Sequence, residues 1–295
     1  MGGDRWQCRG MRWVQGAPVL RWARGAELRE SRLGYGQEIG FRAVGERRCG
    51  GARGNVCPVG AVVSGRSTGG LCAECARLDR VHSVAADTVA DDPRTYRVYL
   101  AWFGPGMVKV GITAEERGTA RLLEQGAVVF GWLGRGPLMA ARRTEELLRA
   151  ALGVPDRIPY ARKRAVRAVL ADRAVDRAAE VTELYARAVA LTGWPEALEP
   201  IAFEAVDHAG VFGLDRPAVL PAASRVVREL VDGGTVAGRL VAAAGPDLHL
   251  RTGDGRVTVV DTRLLSGWEL VAADPRAPLT VPAEELPSGV QDGLF

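Results

Sequence analysis

The spacing of apolar positions changes along the chain, and each change marks a different kind of element. From residue 6 to 48, short apolar runs alternate with glycine, as in Val19-Leu20-Arg21-Trp22 and Glu38-Ile39-Gly40-Phe41, which predicts several short strands. Gly50–Ser67 is Gly-rich and predicts loop. The small, polar stretch Val81–Arg94, closing on Asp91-Asp92-Pro93, predicts a linker. The centre is the most legible part. Tyr96–Phe103 predicts a strand, Gly104-Pro105-Gly106 its turn, and Met107–Ile112 the returning strand. Thr113-Ala114-Glu115-Glu116 has the spacing of a capping box, opening a helix that runs to about Gln125 and stops at Gly126. Ala127–Leu133 follows as a third strand. Pro137 then marks the start of a helix that reaches Leu152, ahead of Gly153 and Pro155. From Tyr160 to Leu191 the chain is Ala- and Arg-rich with helical spacing, which predicts one or two helices. Past Pro195, alternation returns in Thr235–Leu240, Leu248–Thr252, Arg256–Asp261 and Trp268–Val271, with Gly253-Asp254-Gly255 as a hairpin turn. That pattern suits a small, partly open barrel. The Pro-rich, acidic tail from Pro278 is expected to fray.

These elements assign the chain to the α+β class. They divide it into a β-rich N-terminal module (1–90), a central β-β-α-β-α domain (94–158), a helical connector (159–194), a small β module (195–275) and a flexible tail (276–295). A length of 295 residues has room for that many modules. With 47% apolar and 25% charged residues, wholesale disorder is excluded. The most apolar windows, such as Ala127–Leu133, fall far short of the ~20 residues that span a bilayer. The N-terminus, Met1-Gly2-Gly3-Asp4-Arg5-Trp6, shows neither a secretory nor a myristoylation pattern, so a cytoplasmic protein with no membrane partner is expected.

Charge sharpens this picture. The net +4 is unevenly spread: residues 1–80 carry 14 basic and 7 acidic side chains, whereas residues 161–295 are net −4. A positive first third suits electrostatic docking on a phosphate backbone. Of the 39 basic residues only Lys109 and Lys163 are lysine. Arginine for lysine, abundant Ala and Gly, and Asn55 as the single asparagine match the codon bias of a GC-rich bacterial genome. Arginine abundance therefore says little about function. Lys109 says more, because a compact ammonium kept in mid-strand points to a specific contact. The run Arg162-Lys163-Arg164 reads as a solvated helix face rather than a phosphate contact. Nothing fits a Walker or Rossmann phosphate loop, and His82, His208 and His249 sit in no nucleophile motif.

Cys49, Cys57, Cys72 and Cys75 cluster with gaps of 7, 14 and 2 residues, while Cys8 stands apart. In a reducing compartment a metal competes with the disulfide. Cys72-Ala73-Glu74-Cys75 lets two thiolates take adjacent vertices of a zinc tetrahedron, and the pair upstream completes a zinc-ribbon-like set. Gly50, Gly51 and Gly54 let the wider gap fold back. A structural zinc is expected. Inert buried thiols and a redox CxxC are the competing readings, and His82 is an alternative to Cys49 as fourth ligand. Four thiolates around Zn²⁺ would change the local charge by −2, leaving the first third basic.

Val98-Tyr99-Leu100, Val108-Lys109-Val110-Gly111-Ile112-Thr113, Arg121 and Glu145, in β-β-α-β-α order, resemble the GIY-YIG nuclease superfamily, closest to its Lys-Ile-Gly branch. The cysteine cluster, the run Lys109–Thr113, the segment Arg121-Leu122-Leu123-Glu124-Gln125-Gly126-Ala127 and the C-terminal strands also resemble the domain-of-unknown-function 2797 family, over roughly residues 10–272. The nuclease resemblance implies a nucleic-acid partner, DNA or RNA, and a phosphodiester site. In it Tyr99 would be the base or water orienter, and Lys109 stands where a second tyrosine belongs. Arg121 would clamp phosphate and Glu145 would hold Mg²⁺ or Mn²⁺. Glu145 shares a helix face with Leu138, Ala141, Leu148 and Leu152; a register shifted by one puts Glu146 there instead. On the residues alone, Tyr99 between Val98 and Leu100 is as well a packing residue, and Arg121 as well a structural partner of Glu124 or Glu145. The chain departs from the pattern in three ways: Arg97-Val98-Tyr99 replaces Gly-Ile-Tyr, Ala101–Val108 is a short spacer, and the late asparagine is absent. Nuclease, non-catalytic nucleic-acid or nucleotide binding module, and protein-interaction scaffold are the functions to separate.

Overall fold

The computed structural model describes residues 4–81, 92–215 and 223–286. In chain order the elements are β1 (Trp6–Val14), β2 (Ala17–Arg24), β3 (Glu27–Arg32), β4 (Glu38–Val44), α1 (Ala73–Val81), β5 (Thr95–Trp102), β6 (Val108–Ala114) and α2 (Ala120–Gln125). They continue with β7 (Val129–Pro137), α3 (Leu138–Leu152), α4 (Tyr160–Val166), α5 (Ala174–Val189), β8 (Glu199–Pro200), β9 (Val206–Asp207) and α6 (Ala209–Phe212). The last are β10 (Ala223–Val227), β11 (Thr235–Ala244), β12 (Asp247–Arg251), β13 (Val257–Asp261), β14 (Glu269–Ala272) and β15 (Ala283–Glu285). The class is α+β with sheets dominant. No helix among the described residues is long and apolar enough to cross a membrane.

The chain forms two units, one from residues 1–88 with 220–295 and the other from residues 89–219. In the first, ten strands share one sheet in the order β15-β10-β13-β12-β11-β4-β14-β1-β2-β3. The expected N-terminal and C-terminal modules are therefore not separate, and among the described residues the C-terminal strands close no barrel. N- and C-terminal strands interleave here: β4 is paired antiparallel with β11 (Thr235 opposite Arg42) and with β14 (Leu270 opposite Ala43), and β14 in turn with β1 (Leu270 opposite Trp6). Its Ile39, Phe41 and Ala43 are buried while Glu38 and Arg42 face water, the alternation of a strand covered on one face. Strand alternation was readable in the sequence; partners about two hundred residues away or more were not.

In the second unit β5, β6 and β7 form an antiparallel sheet in the order β6-β5-β7-β8, with β9 also on β7. Helices α3 and α5 pack on it. A core cluster joins Tyr99, Ala101, Phe103, Met107, Leu122, Ala127, Phe130 and Ile158. The unit does not end at residue 158. The expected connector helices belong to it: Val181, Leu184 and Ala188 of α5 are buried, and buried Arg177 binds Asp207 at 2.6 Å. The capping box at Thr113 is also corrected. Thr113 and Ala114 stay in β6, with Ala114 opposite Tyr96, so Thr113 caps nothing. A 3₁₀ turn over Glu115–Arg117 follows, and the helix opens only at Ala120. Its end is as expected: Gly126 is left-handed (φ +71°) and its N–H bonds the carbonyls of Leu122 and Leu123. The run Arg162-Lys163-Arg164 is likewise not a wholly solvated face, since Lys163 is only 3% exposed.

Candidate functional site

Two constellations carry chemistry, one in each unit. In the first unit the loop after β4 brings Cys49 and Cys57 together, and the start of α1 supplies Cys72 and Cys75. The seven-residue gap closes because Gly51 takes φ +76°; a Cβ there would meet the Asn55 carbonyl at 1.8 Å. The four Sγ atoms lie within 4.8 Å of one another, with Cys49, Cys57 and Cys75 buried and Cys72 half-buried. All five cysteines are reduced thiols. A zinc–sulfur distance of about 2.3 Å separates tetrahedral sulfurs by about 3.8 Å, so this soft, mostly buried set can hold a metal such as zinc. The Cys49 sulfur accepts the N–H groups of Cys72 (3.1 Å) and Gly51 (3.4 Å), the donors a thiolate needs. Backbone N–H groups of Ala61 and Val59 draw the Cys57 thiol down to about 7, while burial pushes Cys75 up to about 12. A central dication would favour the thiolate at all four. His82, the alternative ligand, lies outside the described residues.

Arg47, which sequence reasoning passed over as one arginine among many, anchors this loop. Its guanidinium is 1% exposed and donates to the carbonyls of Ser64 (2.7 Å), Ser67 (2.5 Å), Arg263 (2.9 Å) and Ser266 (2.7 Å). The segment between Cys57 and Cys72 is thereby tied to the β13–β14 connection.

The second constellation sits where the β5–β6 hairpin meets α2 and α3. Register places Tyr99 opposite Gly111 and Ala101 opposite Lys109, so these four side-chain positions share one face. The Tyr99 ring lies across Gly111, where a Cβ would come within 2.4 Å of the phenol oxygen. That contact explains the glycine of the Val-Gly-Ile-Thr run. Tyr99 is 1% exposed and its Oη accepts a hydrogen bond from Gln125 Nε2 at 2.8 Å. Burial raises its pKa, against the lowering effect of Gln125 and Arg121.

Lys109 is 8% exposed, donates from Nζ to the Asp156 carbonyl at 2.9 Å and stands 5.7 Å from the Tyr99 ring centre. Burial, aided by Arg121, lowers it from 10.5 to about 8, while Glu145 and Asp156 pull the other way. Glu145 is half-buried on α3, between buried Ala141 and Leu148, and Glu146 is exposed, which settles the register. Burial raises the Glu145 pKa, opposed by Lys109. Arg149 and Arg142 on the same helix also act to lower it, and Asp156 to raise it. Arg121, on α2, is exposed and only loosely paired, 4.0 Å from Glu124. Tyr99 and Lys109 each feel both Arg121 and Glu145, so the four predicted residues share one electrostatic neighbourhood.

A cleft of about 540 Å³ opens at the other end of the hairpin, around Asp92, Arg94, Glu115, Arg135 and Glu199, and none of the four lines it. Its charges satisfy one another through the Arg94–Asp92 and Arg135–Glu199 pairs, at 2.6 and 2.7 Å.

No curated protein and no solved structure matches the chain significantly. The profile of one family, described as a protein of unknown function (DUF2797), matches residues 36–270. The match runs from β4 to β14 and takes in the four cysteines, the hairpin and α3. On this coverage the chain belongs to the DUF2797 family.

Proposed function

We propose that the second unit carries a phosphate site for nucleic acid, formed by Tyr99, Lys109, Arg121 and Glu145, and that with Mg²⁺ or Mn²⁺ it hydrolyses a phosphodiester. The observation that supports this best is the placing of a half-buried glutamate beside a buried lysine, with Lys109, Arg149 and Arg142 all favouring its ionised form against the cost of burial. A carboxylate partly drawn in from water gains from a cation placed beside it. A divalent ion supplies such a cation, and when bound it polarises the non-bridging phosphate oxygens. Glu145 would be its ligand. Exposed Arg121 grips an incoming phosphate, and Lys109, at about 8, can hold or move a proton near neutral pH. Tyr99 contributes through its place under Lys109 rather than as a base, because its hydroxyl is already buried against Gln125.

In the first unit we read the four thiols as a structural zinc site that holds a basic surface in shape. The net +7 of residues 1–80 supports salt-dependent docking on a phosphate backbone. The bonded Tyr99 hydroxyl favours one further reading, a module that binds nucleic acid or a nucleotide without cutting it. Labelled single- and double-stranded DNA and RNA, incubated with purified protein in Mg²⁺, Mn²⁺ or EDTA, separate these readings. Metal-dependent cleavage abolished in Glu145→Ala supports hydrolysis, and salt-sensitive binding without cleavage supports the binding module. Absence of both, with Glu145→Ala indistinguishable from wild type, overturns the site and leaves a protein-interaction scaffold.

A further inference from the structure

The chain's second lysine lies in the same unit as Lys109, and the fold hides it. Lys163, on α4, has Nζ 3.7 Å from the Phe103 ring centre and 4.6 Å from that of Tyr160. The same nitrogen donates to the carbonyl of Gln125 at 3.0 Å. One turn earlier on α4, the Tyr160 hydroxyl donates to the carbonyl of Glu124 at 3.2 Å. Glu124 and Gln125 are the last two residues of α2. Helix α4 thus grips the end of α2 where carbonyls lack intrahelical partners and where a cation is favoured by the helix dipole. Six residues make a helix too short to hold its own shape. Yet α2 carries Arg121, and its Gln125 side chain holds the Tyr99 hydroxyl.

We infer that Lys163 and Tyr160 are positioning residues for the phosphate site: α4 clamps the C-terminal end of α2 and so places Arg121 and Gln125 against the β5–β6 hairpin. The compact ammonium fits between two aromatic faces while reaching one carbonyl, a role that explains lysine here in an arginine-dominated chain. The inference rests on the phosphate-site reading of Arg121 and Tyr99, through which the clamp acts.

The test is a double-mutant cycle in the full chain, reading the affinity for a labelled oligonucleotide in EDTA and amide exchange over residues 120–127. Lys163→Met is expected to weaken binding about tenfold, the scale of one charged hydrogen bond. Tyr160→Phe should weaken it by a few-fold. Because the clamp works in part through Arg121, Lys163→Met combined with Arg121→Ala should lose clearly less affinity than the sum of the two single losses. Exchange over α2 should accelerate in both clamp variants. Unchanged affinity in Lys163→Met, or losses that simply add to that of Arg121→Ala, overturns the inference. Should Lys163→Met fail to fold, Tyr160→Phe runs the same cycle. If Arg121→Ala itself leaves binding untouched, the phosphate-site reading has failed; the clamp then stands or falls on whether α2 exchange accelerates.

Discussion

Replacing Lys109 by methionine separates a functional lysine from a structural one, because the two roles predict opposite changes in stability. Methionine keeps the stem and removes the charge. Burial lowers Lys109 from 10.5 to about 8, so holding it protonated in the fold at pH 7 costs about 3 kcal/mol. Removing Nζ forfeits the bond to the Asp156 carbonyl and the contact with the Tyr99 ring, together about 1–2 kcal/mol. Lys109→Met should therefore be more stable than wild type at pH 7 by about 1–2 kcal/mol, a rise of roughly 3–8 °C in Tm. The pH dependence follows from the direction of the shift. Between about pH 8 and 10.5 the unfolded wild-type chain binds more protons than the folded one, so wild-type stability climbs with pH. The variant's advantage should be full below pH 8, vanish between about pH 9 and 9.5, and become a deficit of about 1–2 kcal/mol by 10.5. Thermal melts from pH 6.5 to 10.5, run beside oligonucleotide binding, provide the assay. Gained stability with lost binding is the signature of a residue kept for function. A Lys109→Met that is less stable at pH 7, or whose advantage persists unchanged to pH 10.5, would mean that Lys109 is a structural residue.

Three further outcomes are expected. Zinc should copurify at one equivalent per chain, and Cys75→Ser or a strong chelator should remove it and lower the Tm of the first unit, as elemental analysis and calorimetry would show. Arg47→Met strands four carbonyl acceptors at once and should destabilise that unit by about 3 kcal/mol or more, read from urea unfolding. Gly111→Ala drives a methyl into the Tyr99 ring and should destabilise the second unit by about 1–3 kcal/mol while weakening oligonucleotide binding.

Much of the second unit was legible because its signals are local. The Gly104-Pro105-Gly106 turn, the glycine ending α2 and the apolar face of α3 each act within a few residues, and Glu145 follows from the last of these. Cysteine spacing showed the thiol cluster, and Gly51 explains how its irregular gap closes. The failures have one cause in common. Thr113 looks like a helix cap until Tyr96 claims Ala114 as its strand partner. Lys163 looks solvated until Phe103, sixty residues upstream, covers it. Strand β4 gives no sign that β11 and β14 will flank it. In each case a non-local contact overrides a local preference, and one sequence carries no record of such contacts. Arg47 is hidden differently, since its burial cannot be told apart from the surrounding arginine-rich composition.

The proposed function requires Glu145 and its neighbours to form a metal-assisted phosphate site. Anomalous diffraction from crystals of the protein grown with Mn²⁺ and a short oligonucleotide tests it most directly. An anomalous peak is expected at coordination distance from a Glu145 carboxylate oxygen, about 2.1 Å, with a phosphate of the oligonucleotide between Lys109 and Arg121. A Glu145 carboxylate still without metal, with the oligonucleotide bound elsewhere, would contradict it.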